Sequence, residues 1–319
     1  VVDYYINDAN RLVDRVQAPY STGTPNNQYN ANIGNIRNKG WEFGVDAELY
    51  NKNDFSVNIN ANLTLNDNEV LELSNGTDQI FDYNIIRVGL PINSLYGVKY
   101  WGVNPANGNP VYYKNDGSLV QGNLATNSYR KFDPNNPTDI SQTATSPDLM
   151  VLGNTLPTYF GAFNLNFKYK SFDLGTLVRF SGGNKIMNVT RREMMSQFFN
   201  NNSSEILGRW QSVDNPGDGW TPRLWSSADP IVNGPTIANS RFIESGDFIK
   251  FDNITLGYNL PKEFLANFNI SNFRIYAQAQ NAFIITKYKG SDPEMEVAGV
   301  DYNVVPRSKV FSVGLNVGF

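Results

Sequence analysis

Phe55-Ser56-Val57-Asn58-Ile59-Asn60-Ala61-Asn62-Leu63-Thr64-Leu65-Asn66 is the stretch that decides the fold. Phe55, Val57, Ile59, Ala61, Leu63 and Leu65 fall on one face and Ser56, Asn58, Asn60, Asn62, Thr64 and Asn66 on the other, a period of two that belongs to a strand. Neutral amides on one side and aliphatics on the other suit a wet lumen on one face and lipid on the other, or a solvent face and a core. The period alone does not choose between them.

Just upstream, Trp41, Phe43, Val45, Ala47 and Leu49 alternate with Glu42, Gly44, Asp46, Glu48 and Tyr50. Asn51-Lys52-Asn53-Asp54 is a tight polar turn, so residues 41–66 read as an antiparallel hairpin. A second short-turn hairpin runs through Gly161, Phe163, Leu165, Phe167 and Tyr169, opposed by Ala162, Asn164, Asn166, Lys168 and Lys170, then through Phe172, Leu174, Thr176, Val178 and Phe180. Ile254, Leu256 and Tyr258 form another strand that Pro261 stops, and Phe273, Ile275, Ala277 and Ala279 form the next. Ile249 and Phe251 sit on the opposite phase to Ile254, which predicts a bulge near Asp252. The last strand sets Phe311, Val313, Leu315, Val317 and Phe319 against Ser312, Gly314, Asn316 and Gly318.

Segments 67–93, 104–156, 184–245 and 286–306 between these strands are rich in Asn, Gly, Pro, Asp and Ser, and Thr190–Phe199 inside one of them is helical in character. Loops so long are uncommon in compact domains and are usually functional. Short turns at one end and long loops at the other are the asymmetry of an outer-membrane barrel. Trp41, Tyr50, Tyr159, Tyr169 and Tyr258 near the strand ends would then form its interfacial girdles. The fold class expected is all-β, a transmembrane antiparallel β-barrel with long extracellular loops. The alternative is a soluble surface β-sandwich that binds or cleaves glycans. A sandwich spaces its turns more evenly and carries Lys and Glu, rather than rows of Asn, on exposed faces.

Composition narrows the chemistry. Lys+Arg number 26 against 30 Asp+Glu, a net charge of 26 − 30 = −4, so nothing suggests a nucleic-acid partner. Without His or Cys there is no Ser-His-Asp or Cys-His nucleophile, no His/Cys metal site and no disulfide. No apolar stretch approaches the roughly 20 residues of a membrane helix, so any membrane role uses strands. The chain opens directly on the strand-like Val1-Val2-Asp3-Tyr4-Tyr5-Ile6, which reads as starting inside a larger protein.

Several stretches in one order resemble the C-terminal barrel of the SusC-like (SusC/RagA-type) TonB-dependent outer-membrane transporters. They are Asn32-Ile33-Gly34 through Asn38-Lys39-Gly40-Trp41-Glu42, Leu65 to Leu73, and Gly97-Val98-Lys99-Tyr100-Trp101-Gly102-Val103-Asn104-Pro105 leading to Gly108-Asn109-Pro110. Gly153-Asn154-Thr155-Leu156-Pro157, Arg209-Trp210 with Pro216-Gly217-Asp218 and Pro222-Arg223, Asp252 to Pro261, Asn281-Ala282-Phe283, and Thr286 to Glu294 follow. The resemblance implies a 22-stranded plugged barrel of which residues 1–319 are the C-terminal portion, the plug domain and TonB box lying outside this chain. It further implies location in the outer membrane of a Gram-negative bacterium, energy from the TonB complex through the missing N-terminal region, a SusD-like surface lipoprotein partner, and uptake of an oligosaccharide or oligopeptide. Phe311, Val313, Leu315, Val317 and Phe319 resemble the terminal strand signal read during barrel assembly.

An enzyme would have to use carboxylates, of which Asp292, Glu294 and Glu296 are the best cluster; a solvated loop or structural carboxylates explain them better. Asn115-Asp116-Gly117 is first a turn, and no metal or cofactor is assigned. For a glycan importer, flat loop aromatics stack on sugar faces, which makes Trp101, Tyr112, Tyr113, Trp220 and Trp225 candidates, against the simpler reading that they pack loops together. Trp210, inside a motif, fits that packing role. Asn58, Asn60, Asn62, Asn164 and Asn166 would line a wetted lumen wall or hydrogen-bond a plug.

Overall fold

Among the described residues, eight strands form one antiparallel sheet in which each strand pairs with the next in sequence: β1 (Val2–Gln17), β2 (Gln28–Lys52), β3 (Phe55–Leu73), β4 (Tyr159–Tyr169), β5 (Phe172–Gly182), β6 (Phe248–Asn259), β7 (Asn272–Thr286) and β8 (Val310–Gly318). The computed structural model describes residues 1–17, 28–73, 76–123, 128–195, 201–224, 238–265, 270–294 and 298–319. The sheet does not close on itself here: β1 and β8 are its two edges.

Asn53-Asp54 joins β2 to β3 and Lys170-Ser171 joins β4 to β5; Asn53 and Lys170 take left-handed φ of 55° and 53°. The two turns lie side by side, the Lys170 N–H donating to the Asp54 carbonyl at 2.8 Å. The register keeps the alternation in phase across the sheet. Leu65, Leu63, Ala61, Ile59 and Val57 on β3 face Tyr159, Gly161, Phe163, Leu165 and Phe167 on β4, so one face of the sheet is apolar. The predicted bulge is present: the register slips between Phe251 and Asn253 on β6, opposite Asn281, whose φ is 49° and whose side-chain amide donates to the Ser308 carbonyl at 3.0 Å.

Aromatic rows bound the apolar face at both ends. Tyr4, Trp41, Leu65 and Tyr159 share the register at one end, with Tyr4 and Trp41 ring centroids 4.8 Å apart. At the other end Tyr50, Phe55, Tyr169, Phe172 and Tyr258 form a row with ring spacings of 5.6 Å, 6.3 Å and 4.7 Å between successive contacting pairs. From Phe55 to Leu65 the chain runs about 33 Å, or about 25 Å along the membrane normal at a tilt near 40°, the height of the apolar band of an outer-membrane barrel.

Segment 67–93 is not all loop. β3 continues to Leu73 beyond the aromatic row because Ile36, Val70 and Leu73 are buried there with Ile86. The other long segments also fold, into two five-stranded sheets and one three-stranded sheet. They interlock: Ala238–Asn239 pairs with Ser94–Val98, and Val300–Asp301 pairs with Lys185–Asn188. Their shared core draws Tyr83 and Leu95 from the segment after β3, Met187, Val189 and Phe242 from that after β5, and Val300 from that after β7. The expected helix is α1 (Val189–Met194), capped by the Asn188 side chain accepting the Arg191 N–H at 2.8 Å; its expected end, residues 196–199, lies outside the described residues.

Candidate substrate-facing surface

The face opposite the apolar band carries the amides. Asn60 and Asn58 on β3 lie directly across from Asn164 and Asn166 on β4, and Asn62 accepts the Ala162 N–H at 2.9 Å. All five of these side chains are exposed or half-exposed. Asn58, Asn164 and Asn166, with Thr255 and the Asp173–Arg274 ion pair, line a polar hollow of about 480 Å³ toward the short-turn end. A second hollow of about 380 Å³ lies between Asn62, Phe160, Phe248, Arg179 and the loop residues Pro293 and Glu294.

The loop after β7 folds onto this face and is held there by charge. Arg179 of β5 donates to Asp252 and, through Nη1 at 2.7 Å, to Glu294. Buried Lys250 of β6 reaches Glu294 at 2.6 Å and Asp292 at 3.6 Å, and Arg307 stands 3.7 Å from Glu294. The bulge is what turns Asp252 toward Arg179, since it adds one residue between Phe251 on the apolar face and Asn253 on the polar one. Burial pushes the Glu294 carboxyl up, but the hydrogen bonds of Arg179 and Lys250 outweigh it and hold it below its usual range. A carboxyl kept ionised by two cations is a poor general acid, so Glu294 fits a clamp better than a catalyst; Asp292 accepts the Glu294 N–H at 3.0 Å, and Glu296 lies outside the described residues. Among the described residues no three His, Cys, Asp or Glu side chains are grouped to hold a metal ion. Asp116 caps its own turn, accepting the Ser118 N–H at 2.9 Å.

The loop aromatics separate by burial. Tyr112 is fully buried with Val98, Tyr100 and Val120, so it is a core residue and has no face for a sugar. Trp101 is half-buried, 5.2 Å from Phe132, and Tyr113 lies under the Lys99 ammonium at 4.8 Å. Trp220 is 40% exposed, edge-on to Tyr100 at 4.9 Å, and its carbonyl accepts the Tyr100 hydroxyl. Trp225 lies outside the described residues. Trp210 does pack loops together: its indole N–H donates to the Pro105 carbonyl at 2.9 Å, and its ring covers Gly108, where a Cβ would meet it at 2.5 Å and the backbone φ is +76°. The Arg-Trp and Gly-Asn-Pro motifs thus form one contact.

Alternation and motif spacing do not single out Arg179 and Lys250. The signal they do offer is a cation, in place of Asn or Ser, at a polar-face position of a strand.

An apolar band bounded by aromatic rows, an amide-lined opposite face, short turns at one end and a folded loop layer at the other are the features expected of part of an outer-membrane barrel wall. No family model matches the chain. It is 28% identical, over 99% of its length, to 32% of the TonB-dependent receptor P3 of Formosa agariphila, and 28% identical, over its full length, to 30% of the TonB-dependent receptor SusC of Bacteroides thetaiotaomicron. The whole chain also superposes on 33% of a chain in the structure of the RagAB peptide transporter, with a TM-score of 0.80 and 24% identity. These homologues are TonB-dependent receptors, SusC among them, and the fold of this chain is that of part of the RagAB transporter. The chain spans about a third of the length of the curated relatives it matches.

Proposed function

We propose that residues 1–319 are the C-terminal part of the barrel wall and extracellular loops of a SusC-like importer in the outer membrane of a Gram-negative bacterium. The whole protein takes up an oligosaccharide or oligopeptide without covalent chemistry, is energised by the TonB complex through a region outside this chain, and works with a SusD-like lipoprotein. The observation that carries the reading is the two-faced sheet: its apolar face has no protein layer over it among the described residues, while its amide face lines a polar hollow and has a loop folded onto it. A solute crossing beside neutral amides can exchange hydrogen bonds with them at little cost, because each is only modestly favourable in water. The likeness in fold to RagAB, a peptide transporter, supports an oligomer as the class of cargo.

The test is expression of the full-length receptor together with a SusD-like lipoprotein from the same genome. Detergent-dependent extraction, co-purification of the lipoprotein, and uptake that stops when TonB is deleted are expected. Release of the full-length protein as a soluble monomer would overturn the reading in favour of a soluble surface protein.

A further inference from the structure

On the apolar face, at the loop end of the band, Tyr159, Phe180, Ile249 and Ile285 line a hollow of about 420 Å³. Ile285 and Ile249 pair across β6 and β7 and are both largely exposed, and the Phe180 ring lies beside Gly161, where a Cβ would approach it to 2.7 Å. Lys287 lines the same hollow two residues beyond Ile285 and, unlike Lys289, which reaches Glu205, makes no ion pair among the described residues. The other charge at the rim, Asp247, is turned to the Gly183 N–H at 2.8 Å. A comparable hollow lies in the same aromatic row between Tyr4, Trp41 and Leu65, but its lysine, Lys39, is paired with Asp67 at 3.2 Å.

We propose that the Ile249–Ile285 hollow is a binding site for one acyl chain of lipid A, the glycolipid of the outer leaflet, with Lys287 meeting its phosphate. The inference rests on the outer-membrane reading above. An apolar hollow in a lipid-facing wall takes an acyl chain because, left empty, its lining forfeits dispersion contacts that the chain restores. A free ammonium at headgroup height then selects an anionic head, whereas a lysine already paired does not.

Native mass spectrometry of the detergent-purified full-length receptor, titrated with lipid A and with the same lipid stripped of phosphate, tests this. The wild type should retain the phosphorylated lipid about fivefold better, the effect of one interfacial lysine. Lys287→Gln should abolish that preference, Ile249→Trp should fill the hollow and reduce retention of both lipids, and Lys39→Gln should change nothing. Heat-modifiable migration confirms that each variant folds, and the comparison of the two lipids needs only the wild type. Equal retention of both lipids by the wild type, or an unchanged preference in Lys287→Gln, would mean non-specific lipid coating and overturn the site. A receptor that fails to import but keeps the phosphate preference would sink the transport reading alone.

Discussion

Leu256 and Ile275 on interior strands of the wall are 52% and 41% exposed, whereas Leu95 and Tyr112 in the loop layer are fully buried. Both regions are β-structure, yet they dispose of apolar surface in opposite ways. The wall presents it to what lies outside the protein, so its order comes from continuous strand pairing, and an unpaired strand backbone in hydrocarbon would cost several kcal/mol per group. The loop layer covers its own, with segments from three places in the chain meeting around Leu95, Met187 and Phe242. On the proposed reading, a lipid-facing sheet and a water-facing loop layer share one polypeptide, and substitutions should be felt by different rules in each.

The largest effect is expected in the loop layer. Phe242→Ala should cost about 3–5 kcal/mol there, because it empties a packed site. Hydrogen exchange across residues 76–98 and 185–195 should rise while barrel migration on gels is unchanged; loss of the barrel itself would show that the two regions are not separable.

On the wall, depth should govern. Ile59 lies midway between the aromatic rows, so Ile59→Arg should cost about 2–4 kcal/mol, while Leu63→Arg, one pair from the upper row, should cost about 1 kcal/mol or less. Asn58→Ser, on the other face, should stay within about 0.5 kcal/mol. Folding titrations into lipid measure all three, and equal costs for the two arginines would contradict the placement of the band.

Where wall and loops meet, Glu294→Gln should cost about 1.5–3 kcal/mol, the range for hydrogen bonds to charged groups, and should leave the loop after β7 open to protease. Because the folded carboxyl is held below its ordinary value, its stabilising contribution is full above about pH 5 and fades as pH falls through the depressed value. Protection of the wild-type loop should therefore decline on acidification, more steeply than in Glu294→Gln. A pH-independent wild-type loop would remove the charge cluster as its clamp.

In the loop layer, Trp220→Ala should have a small effect on stability, about 0.5–1.5 kcal/mol, from the lost edge contact with Tyr100. Its effect on lipoprotein or substrate binding in the full-length receptor should be larger than that. Unchanged binding would make Trp220 a packing residue, as Tyr112 is.

Sequence alone determined the main wall strands, their faces and the short turns between them, because a period of two and a polar turn are local properties, whereas the strands of the loop layer were not legible in it. It also located the bulge at Asp252, since a phase slip is visible in the order of residues. Only the tertiary structure decided that Tyr112 is core while Trp220 is not, for burial depends on which distant segment arrives to cover a ring. The same holds for Arg179, Lys250 and Glu294. Each is an ordinary charged residue in the sequence, and their joint role exists because β5, β6 and a loop more than 40 residues beyond Lys250 come within hydrogen-bonding distance.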